Sequence, residues 1–348
     1  MKLYRKRKGG MSAKRFAVLL AGVILAVCSS CGANRRPTET AGQLPSIGVP
    51  EEISVPQTTQ GAAQPSTRST EASTQPASTQ EVPVTQTEPP ETSTPKTQIH
   101  ALSQQEIDAI RAHYDGTVIG FGTGFKQSWA DEYNRPTLVN NLLNRFAGTD
   151  ANILAYCSDA ETKAVAFSFQ CGTEYGHTDE VLDILAKYGV KSTFYIIHSY
   201  GEKNHSLVER MIREGHVIGS HTYSCPNGGI ARLSLEEQMQ DAMKMQQYMQ
   251  ESFGYTLSKF NFNSGYWSEQ AMIMMSRMGY QIDFCSCNYS DYDPAASFDS
   301  AEILGELEKR LHPGCIYCFH TTNVITPTIL EPLIRYCQDQ GYSIIQVP

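Results

Sequence analysis

The sequence has no aromatic residue between Phe16 and Tyr114 and no acidic residue among its first 27 positions. The first absence removes the large apolar side chains that a packed core needs, so it excludes a globular domain from that stretch. The second leaves seven basic residues among the first fifteen without any counter-charge. Together they indicate that the folded part of this 348-residue chain begins at about residue 99.

Basic residues are scarce in the rest of the chain. The net charge is −8, and without the seven N-terminal cations 21 Lys and Arg would face 36 Asp and Glu. Nucleic-acid binding depends on lysine and arginine meeting phosphates. We therefore expect no nucleic-acid partner.

The N-terminus has the pattern of an export signal. The basic stretch is followed by the apolar run FAVLLAGVILAV at residues 16–27, which is shorter than the roughly 20 residues of a membrane-spanning helix. The run is followed by CSSCG, which resembles the lipidation motif of bacterial lipoproteins at Cys28 or Cys31. We expect residues 1–31 to direct export and lipid anchoring to the outer face of the bacterial cytoplasmic membrane. An ordinary secretory signal, giving a secreted protein, is the alternative.

Residues 32–98 are dominated by Ser, Thr, Pro, Gln, Glu, Ala and Gly. A segment of this composition buries too little apolar surface to offset the entropy of ordering it, so it is predicted to be a disordered tether. The remaining residues, 99–348, are predicted to form one folded domain.

Apolar runs and helix signals alternate from residue 163 onward. The runs are VAFSF, STFYI, VIGS, KFNF, QIDFCS, CIYCF and YSIIQV. Between them Thr178 is predicted to cap one helix, and Ser234 with Glu237 to form a capping box at another. Strands alternating with helices favour parallel pairing, and seven of them favour an α/β barrel related to the TIM type. An open doubly wound sheet is the alternative.

Polar residues stand at the ends of several predicted strands, where a barrel assembles its active site. They are Gln170, Cys171, His221, Asn261, Asp291 and His320. Each also has a structural explanation when taken alone: a histidine can be a hydrogen-bonded core residue, Cys171 a small buried filler and Asp291 a turn residue.

The order and spacing of several segments resemble the polysaccharide deacetylase family, also called the NodB homology domain or carbohydrate esterase family 4. These segments are GFGTGFKQ with Pro136, TEYGHTDEVLDIL, HPGCIYCFHTT and QGYSI. The resemblance spans residues 116–347 and is closest to the peptidoglycan N-acetylmuramic acid deacetylases. It implies a deformed (β/α)7 barrel, hydrolysis of acetyl groups on glycans, a bound divalent metal, and cell-wall glycan or peptidoglycan as the partner.

The same resemblance shows where the sequence departs from the family pattern. Gln170 stands at the position of the catalytic base and Asn261 at that of the arginine that orients it. His320 and Asp291 are retained, and the resemblance implies that His320 is the general acid. A neutral amide has no useful basicity at pH 7, so activity is doubtful unless another carboxylate, such as Glu174 or Asp179, replaces the base.

Cys171, His221 and Cys225 stand at the metal-ligand positions of the family. Two thiolates and one imidazole suit zinc, and three protein ligands with one open position are typical of catalytic zinc sites. The alternative is that no metal binds. Other cysteines could form disulfides, and strand alternation predicts that Cys318 points into the barrel with His320 while Cys315 points toward the helices.

Three functions follow from these observations. The first is a hydrolase, a glycan deacetylase with unusual ligands. The second is a pseudoenzyme that binds glycan or peptidoglycan without hydrolysing it. The third, based on the cysteines, is a structural or redox role.

Overall fold

A computed structural model describes residues 98–121 and 130–348. The predicted signal segment, both candidate lipidation cysteines Cys28 and Cys31, and all but the last residue of the predicted tether lie outside these ranges. Most of the GFGTGFKQ segment also lies outside them. No helix within the described ranges combines the length and the hydrophobicity needed to cross a bilayer.

The centre of the domain is a curled parallel sheet. Its strands are β2 (Ile153–Leu154), β3 (Ala164–Cys171), β4 (Thr193–Ile196), β5 (Val217–Ser220), β6 (Lys259–Phe260), β8 (Gln281–Asp283), β9 (Cys287–Asn288), β10 (Cys315–His320) and β11 (Ser343–Ile344). They follow the order β2-β8-β6-β5-β4-β3-β10-β9, and β11 pairs with the start of β3. A separate antiparallel ribbon joins β1 (Ile119–Gly120) to β7 (Tyr266–Trp267).

The strand order confirms a barrel-type fold rather than a doubly wound sheet. From β3 through β8 the strands follow one another in a single direction, whereas a doubly wound sheet reverses at its centre. Within the described ranges no hydrogen-bonded ladder joins the end strands β2 and β9, so the curled sheet stays open there. All seven predicted strands are present, and the two-residue strands β2 and β9 extend the sheet beyond them.

Helices cover the outer face of the sheet. Within the described ranges they are α1 (Gln104–His113), α2 (Thr137–Arg145), α3 (Thr178–Lys187), α4 (His198–Lys203), α5 (His205–Arg213), α6 (Leu235–Phe253), α7 (Glu269–Arg277), α8 (Ser300–Lys309) and α9 (Ile325–Asp339). The predicted capping box at Ser234 and Glu237 is formed at the start of α6. Thr178, predicted to cap α3, is instead its first residue.

The two faces of the central strand β3 differ in polarity. Phe167 and Phe169 face the helices and are fully buried; Phe167 stacks on Tyr317, and Phe169 stacks on Phe194. The alternate residues Ser168 and Gln170 face the barrel interior, because successive side chains on a strand point to opposite faces. The apolar core therefore lies between sheet and helices, and the polar site lies inside the barrel.

One glycine makes room in the interior. A Cβ atom at Gly219 in β5 would lie 2.5 Å from the ring of Tyr195 in β4. The ring can therefore lie across β5, where its hydroxyl reaches the Asp283 carboxylate at the end of β8, with 2.5 Å between the oxygens. This contact forms the floor beneath the candidate site.

Candidate active site

His320 and Asp291 form a tightly bonded pair at the end of β10. The Asp291 carboxylate accepts a hydrogen bond from the His320 backbone N–H through Oδ2, and its Oδ1 lies 2.7 Å from His320 Nδ1. Thr326 adds a hydroxyl that donates to the His320 carbonyl and to Asp291 Oδ2. Because Asp291 holds Nδ1, Nε2 is the ring nitrogen left for a ligand.

The Asp291 carboxylate favours the protonated form of the His320 imidazole. Burial by itself lowers the pKa of His320, but the adjacent, fully buried Asp291 outweighs it through charge and hydrogen bonding, so the pKa is raised above its usual value. The raised pKa favours the protonated form that a general acid requires. The structure thus brings together the two residues that the sequence predicted as a retained acid and its partner.

Gln170 and Asn261 form a neutral hydrogen-bonded chain beside the histidine. Gln170 is the Cα partner of His320 between β3 and β10. Its Nε2 donates to Asn261 Oδ1 at 3.0 Å, and Asn261 Nδ2 donates to the Asp283 carbonyl at 2.8 Å. The positions predicted for the base and its orienting arginine therefore do come together, but they carry two amides, and amides cannot accept a proton from water at neutral pH.

His221 lies next to this chain in a neutral form. Its Nδ1 is 3.1 Å from the Asn261 carbonyl oxygen, and only 4% of the residue is exposed. Burial, followed by the charge of His320, lowers the pKa of His221 to about 4. Between about pH 4 and 6.5, therefore, His221 is neutral while His320 is protonated.

The loop after His221 is backbone-strained and held by an acid from another element. Thr222 has φ of 88° and Cys225 has φ of 44°, both in the left-handed region that non-glycine residues rarely adopt. Asp241 of α6 accepts hydrogen bonds from the backbone N–H groups of Tyr223 and Ser224 at 2.7 and 2.8 Å. These bonds fix the conformation of the loop beside the site.

The residues present do not fit the divalent metal that the family resemblance implies. Among residues 98–121 and 130–348, no three His, Cys, Asp or Glu side chains are grouped so that they could hold a metal ion. Strand β3 continues through Cys171, so its thiol faces away from Gln170 into the apolar core with no exposed surface. The predicted trio of Cys171, His221 and Cys225 is therefore not assembled as a ligand set.

The chemistry of Cys171 agrees with its position. Burial raises the pKa of its thiol to about 12, and the thiol accepts a hydrogen bond from Thr321 Oγ1 at 3.7 Å. Metal binding requires a thiolate, which this environment disfavours. The structural explanation of Cys171, a small buried filler, is the one the structure supports.

Neither of the substitute bases considered from the sequence is placed for that role. Glu174 Oε1 accepts the backbone N–H groups of Gly176, His177 and Thr178, and its Oε2 accepts the hydroxyls of Tyr200 and Thr178. Glu174 therefore holds the turn that leads into α3, and both of its carboxylate oxygens are occupied. Asp179 lies on the surface, paired with Arg210 at 2.8 Å.

An open cavity of about 450 Å³ is bordered by the segments that follow Gln170 and His221 in the chain. It is lined by residues 172–174 after β3, by Ile197, Ser199, Tyr200, Lys203 and Asn204 around α4, and by residues 224–227. Sequence reasoning did not find the α4 residues, because this six-residue helix is too short to show a helical period. The exposed ring of Tyr175 follows Glu174 directly in the chain.

Residues 158–282 match the family model for polysaccharide deacetylase. These residues form a polysaccharide deacetylase domain. The peptidoglycan-N-acetylmuramic acid deacetylase PdaA of Bacillus subtilis strain 168 is 28% identical over 209 residues, covering 59% of this chain and 75% of that protein. The solved structure of B. subtilis PdaA, a family 4 carbohydrate esterase, matches with a TM-score of 0.60 at 23% identity, over 67% of this chain and 96% of that one.

A pseudoenzyme of the same esterase family from Bacillus anthracis has the same fold. Its structure matches with a TM-score of 0.52 at 18% identity, over 56% of this chain and 67% of that chain. A mutant of that pseudoenzyme has restored enzymatic activity. The fold therefore occurs in this family both with and without catalysis.

Proposed function

We propose that this protein is a non-catalytic glycan-binding member of the polysaccharide deacetylase family, with peptidoglycan as its ligand. The observation that carries the proposal is the neutral chain from Gln170 to Asn261 at the position of the base. Hydrolysis of an acetamide needs a water deprotonated as it attacks, and general-base catalysis contributes about 10²–10⁴-fold. The names of relatives such as PdaA support peptidoglycan as the ligand class.

A slow deacetylase is the second candidate. It is favoured by the retained pair of His320 and Asp291, whose geometry suits protonation of a leaving amine. A general acid without a general base can protonate the leaving amine but cannot deprotonate the attacking water. Because the Glu174 carboxylate is occupied by the turn before α3 and Asp179 is paired on the surface, neither supplies the missing base.

The open cavity lined by the segments that follow β3, β4 and β5 is the proposed glycan site. Sugar rings stack on aromatic faces, and their hydroxyls bond to amides and ammonium groups placed around a concave surface. The cavity offers the exposed Lys203 and the half-buried Asn204, with the half-exposed Tyr175 close by in the chain.

Co-sedimentation with insoluble peptidoglycan tests the proposal. The wild type should be retained in the pellet without release of acetate, and Lys203→Ala and Tyr175→Ala should each lower retention several-fold. Lys244→Ala and Tyr133→Ala, exposed residues elsewhere on the domain, are the matched controls and should leave retention unchanged. A wild type that stays in the supernatant, or equal losses in the control variants, would contradict glycan binding at this cavity.

We also propose that the protein is exported and lipid-anchored through Cys28 or Cys31. The basic-then-apolar start followed by CSSCG supports this. Growth with a labelled fatty acid should mark the protein, and replacement of both cysteines by serine should release it from the membrane fraction. Full membrane retention of the double variant would count against the anchor and leave the glycan-binding proposal untouched.

A further inference from the structure

Cys285 and Cys318 meet inside the barrel, below the His320 pair. Cys318 lies on the inner face of β10, two residues before His320, and Cys285 packs against a small apolar cluster on that face that includes Ile316. The neighbouring Cys285, together with burial, raises the pKa of the Cys318 thiol. The two chain segments are adjacent, since the Ser286 backbone N–H donates to the Ile316 carbonyl at 3.1 Å and Asn288 is the Cα partner of Cys318. Both cysteines are free thiols in the structure.

Accessibility distinguishes this pair from the other free thiols of the described residues. Cys285 is half-buried, whereas Cys318 is 4% exposed. A second pair in contact, Cys287 and Cys315, has no exposed surface on either residue. An incoming disulfide can therefore reach Cys285, and Cys318 is placed behind it as the second thiol.

We propose that Cys285 and Cys318 form a thiol–disulfide exchange site that takes small organic disulfides, such as oxidised glutathione, as its oxidant. The Cys285 sulfur, as thiolate, attacks one sulfur of the oxidant, whose S–S bond breaks and releases one thiolate, which takes up a proton. The Cys318 sulfur then loses its proton and attacks the Cys285 sulfur of the mixed disulfide, and the second small thiol leaves. In total two protein thiols are oxidised to one disulfide and the oxidant is reduced to two thiols.

A disulfide between Cys285 and Cys318 would connect β10 to the segment that precedes Asp291. The chain between Cys285 and Cys318 includes Asp291, and Cys318 is separated from His320 by a single residue. A cross-link that closes a loop of this size restricts the unfolded chain and so favours the folded state. We expect the oxidised protein to melt several degrees above the reduced protein, in line with about 2–4 °C per kcal/mol for a domain of this size.

The experiment compares full-length protein equilibrated with oxidised or with reduced glutathione. Free thiols are alkylated under denaturing, non-reducing conditions, and peptides are identified by mass spectrometry. The expected result is a Cys285–Cys318 cross-linked peptide in the oxidised sample, with Cys157, Cys287 and Cys315 alkylated in both samples. The rise in melting temperature should disappear on addition of dithiothreitol.

Single variants make the test specific. Cys285→Ser and Cys318→Ser should each abolish the difference in melting temperature between oxidised and reduced samples, whereas the matched control Cys157→Ser should keep it. Circular dichroism of each reduced variant checks that it is folded. If a serine variant is not folded, Cys285→Ala is measured in its place. Alkylation of both Cys285 and Cys318 after oxidation, or a cross-link that joins either of them to a different cysteine, would overturn the proposal.

Discussion

Gln170 and Asn261 are the two residues on which the proposed absence of catalysis depends. The two residues are compatible with each other. Gln170 lacks the negative charge of a catalytic base, and Asn261 lacks the positive charge of an orienting arginine. Neither side chain therefore needs an ionic partner. Their mutual hydrogen bond, continued to the Asp283 carbonyl, leaves no ion buried without a partner. The site is therefore a stable neutral arrangement rather than a damaged ionic one.

The candidate residues could be predicted from the sequence, but the direction of their side chains could not. Gln170 and Cys171 are neighbours, and alternation on a strand sends them to opposite faces if the strand includes both. Whether β3 ends before or after Cys171 depends on its pairing with Ile196 of β4, a contact distant in sequence. The predicted zinc set failed for this reason.

Buried histidines predict how the stability of the domain depends on pH. The Ser192 N–H donates to His216 Nδ1, which requires that nitrogen to be unprotonated. Burial, followed by the charge of Lys191, lowers the pKa of His216 from its usual 6.5 to about 4. The unfolded chain thus takes up this proton first, so the contribution of His216 to stability is present above pH 6.5 and is lost as the pH falls toward 4.

The variant His216→Asn keeps a hydrogen-bond acceptor but does not titrate. Between pH 6.5 and 4 its unfolding free energy, measured by urea denaturation, should fall less than that of the wild type by roughly 1–3 kcal/mol, at about 1.4 kcal/mol per pKa unit. The exposed His113→Asn is the control. Parallel curves for wild type and His216→Asn would show that His216 does not contribute to the pH dependence.

At the scale of elements, helix signals were easier to predict than short strands. The capping box at α6 follows from local sequence, because Ser234 and Glu237 are within three residues of the groups they satisfy. The strands β2 and β9 have two residues each and therefore no periodicity. They form only because neighbouring strands offer a hydrogen-bonding edge.

Glu174 provides the test at this scale. Because its carboxylate binds three backbone N–H groups at the start of α3, Glu174→Ala should lower the unfolding free energy by about 1–3 kcal/mol, and Glu174→Gln by less. Urea denaturation measures both, with the exposed Glu161→Ala as control. Unchanged stability in Glu174→Ala would show that the carboxylate is free for another role and would reopen its candidacy as a base.

At the scale of the whole molecule, the alternation of strands and helices was enough to predict a parallel barrel-type fold. It was not enough to predict that, among the residues that the structure describes, no ladder joins β2 to β9, because that depends on how far each strand extends and which edges meet. The retained fold brings the ends of β3, β6 and β10 together around His320 even though two of the expected charged groups are absent. The barrel thus preserves the shape of a deacetylase site independently of its chemistry.

Acetate release from N-acetylated peptidoglycan, measured with zinc, cobalt or manganese present, tests the central claim most directly. The account predicts no release above background by the wild type. It predicts measurable release by a folded variant that combines Gln170→Asp, Cys225→His and Asn261→Arg, since these changes supply a carboxylate at the position of the base, its arginine and a histidine at one of the ligand positions. Robust turnover by the wild type that is abolished by His221→Ala would contradict the account and identify the protein as an active deacetylase.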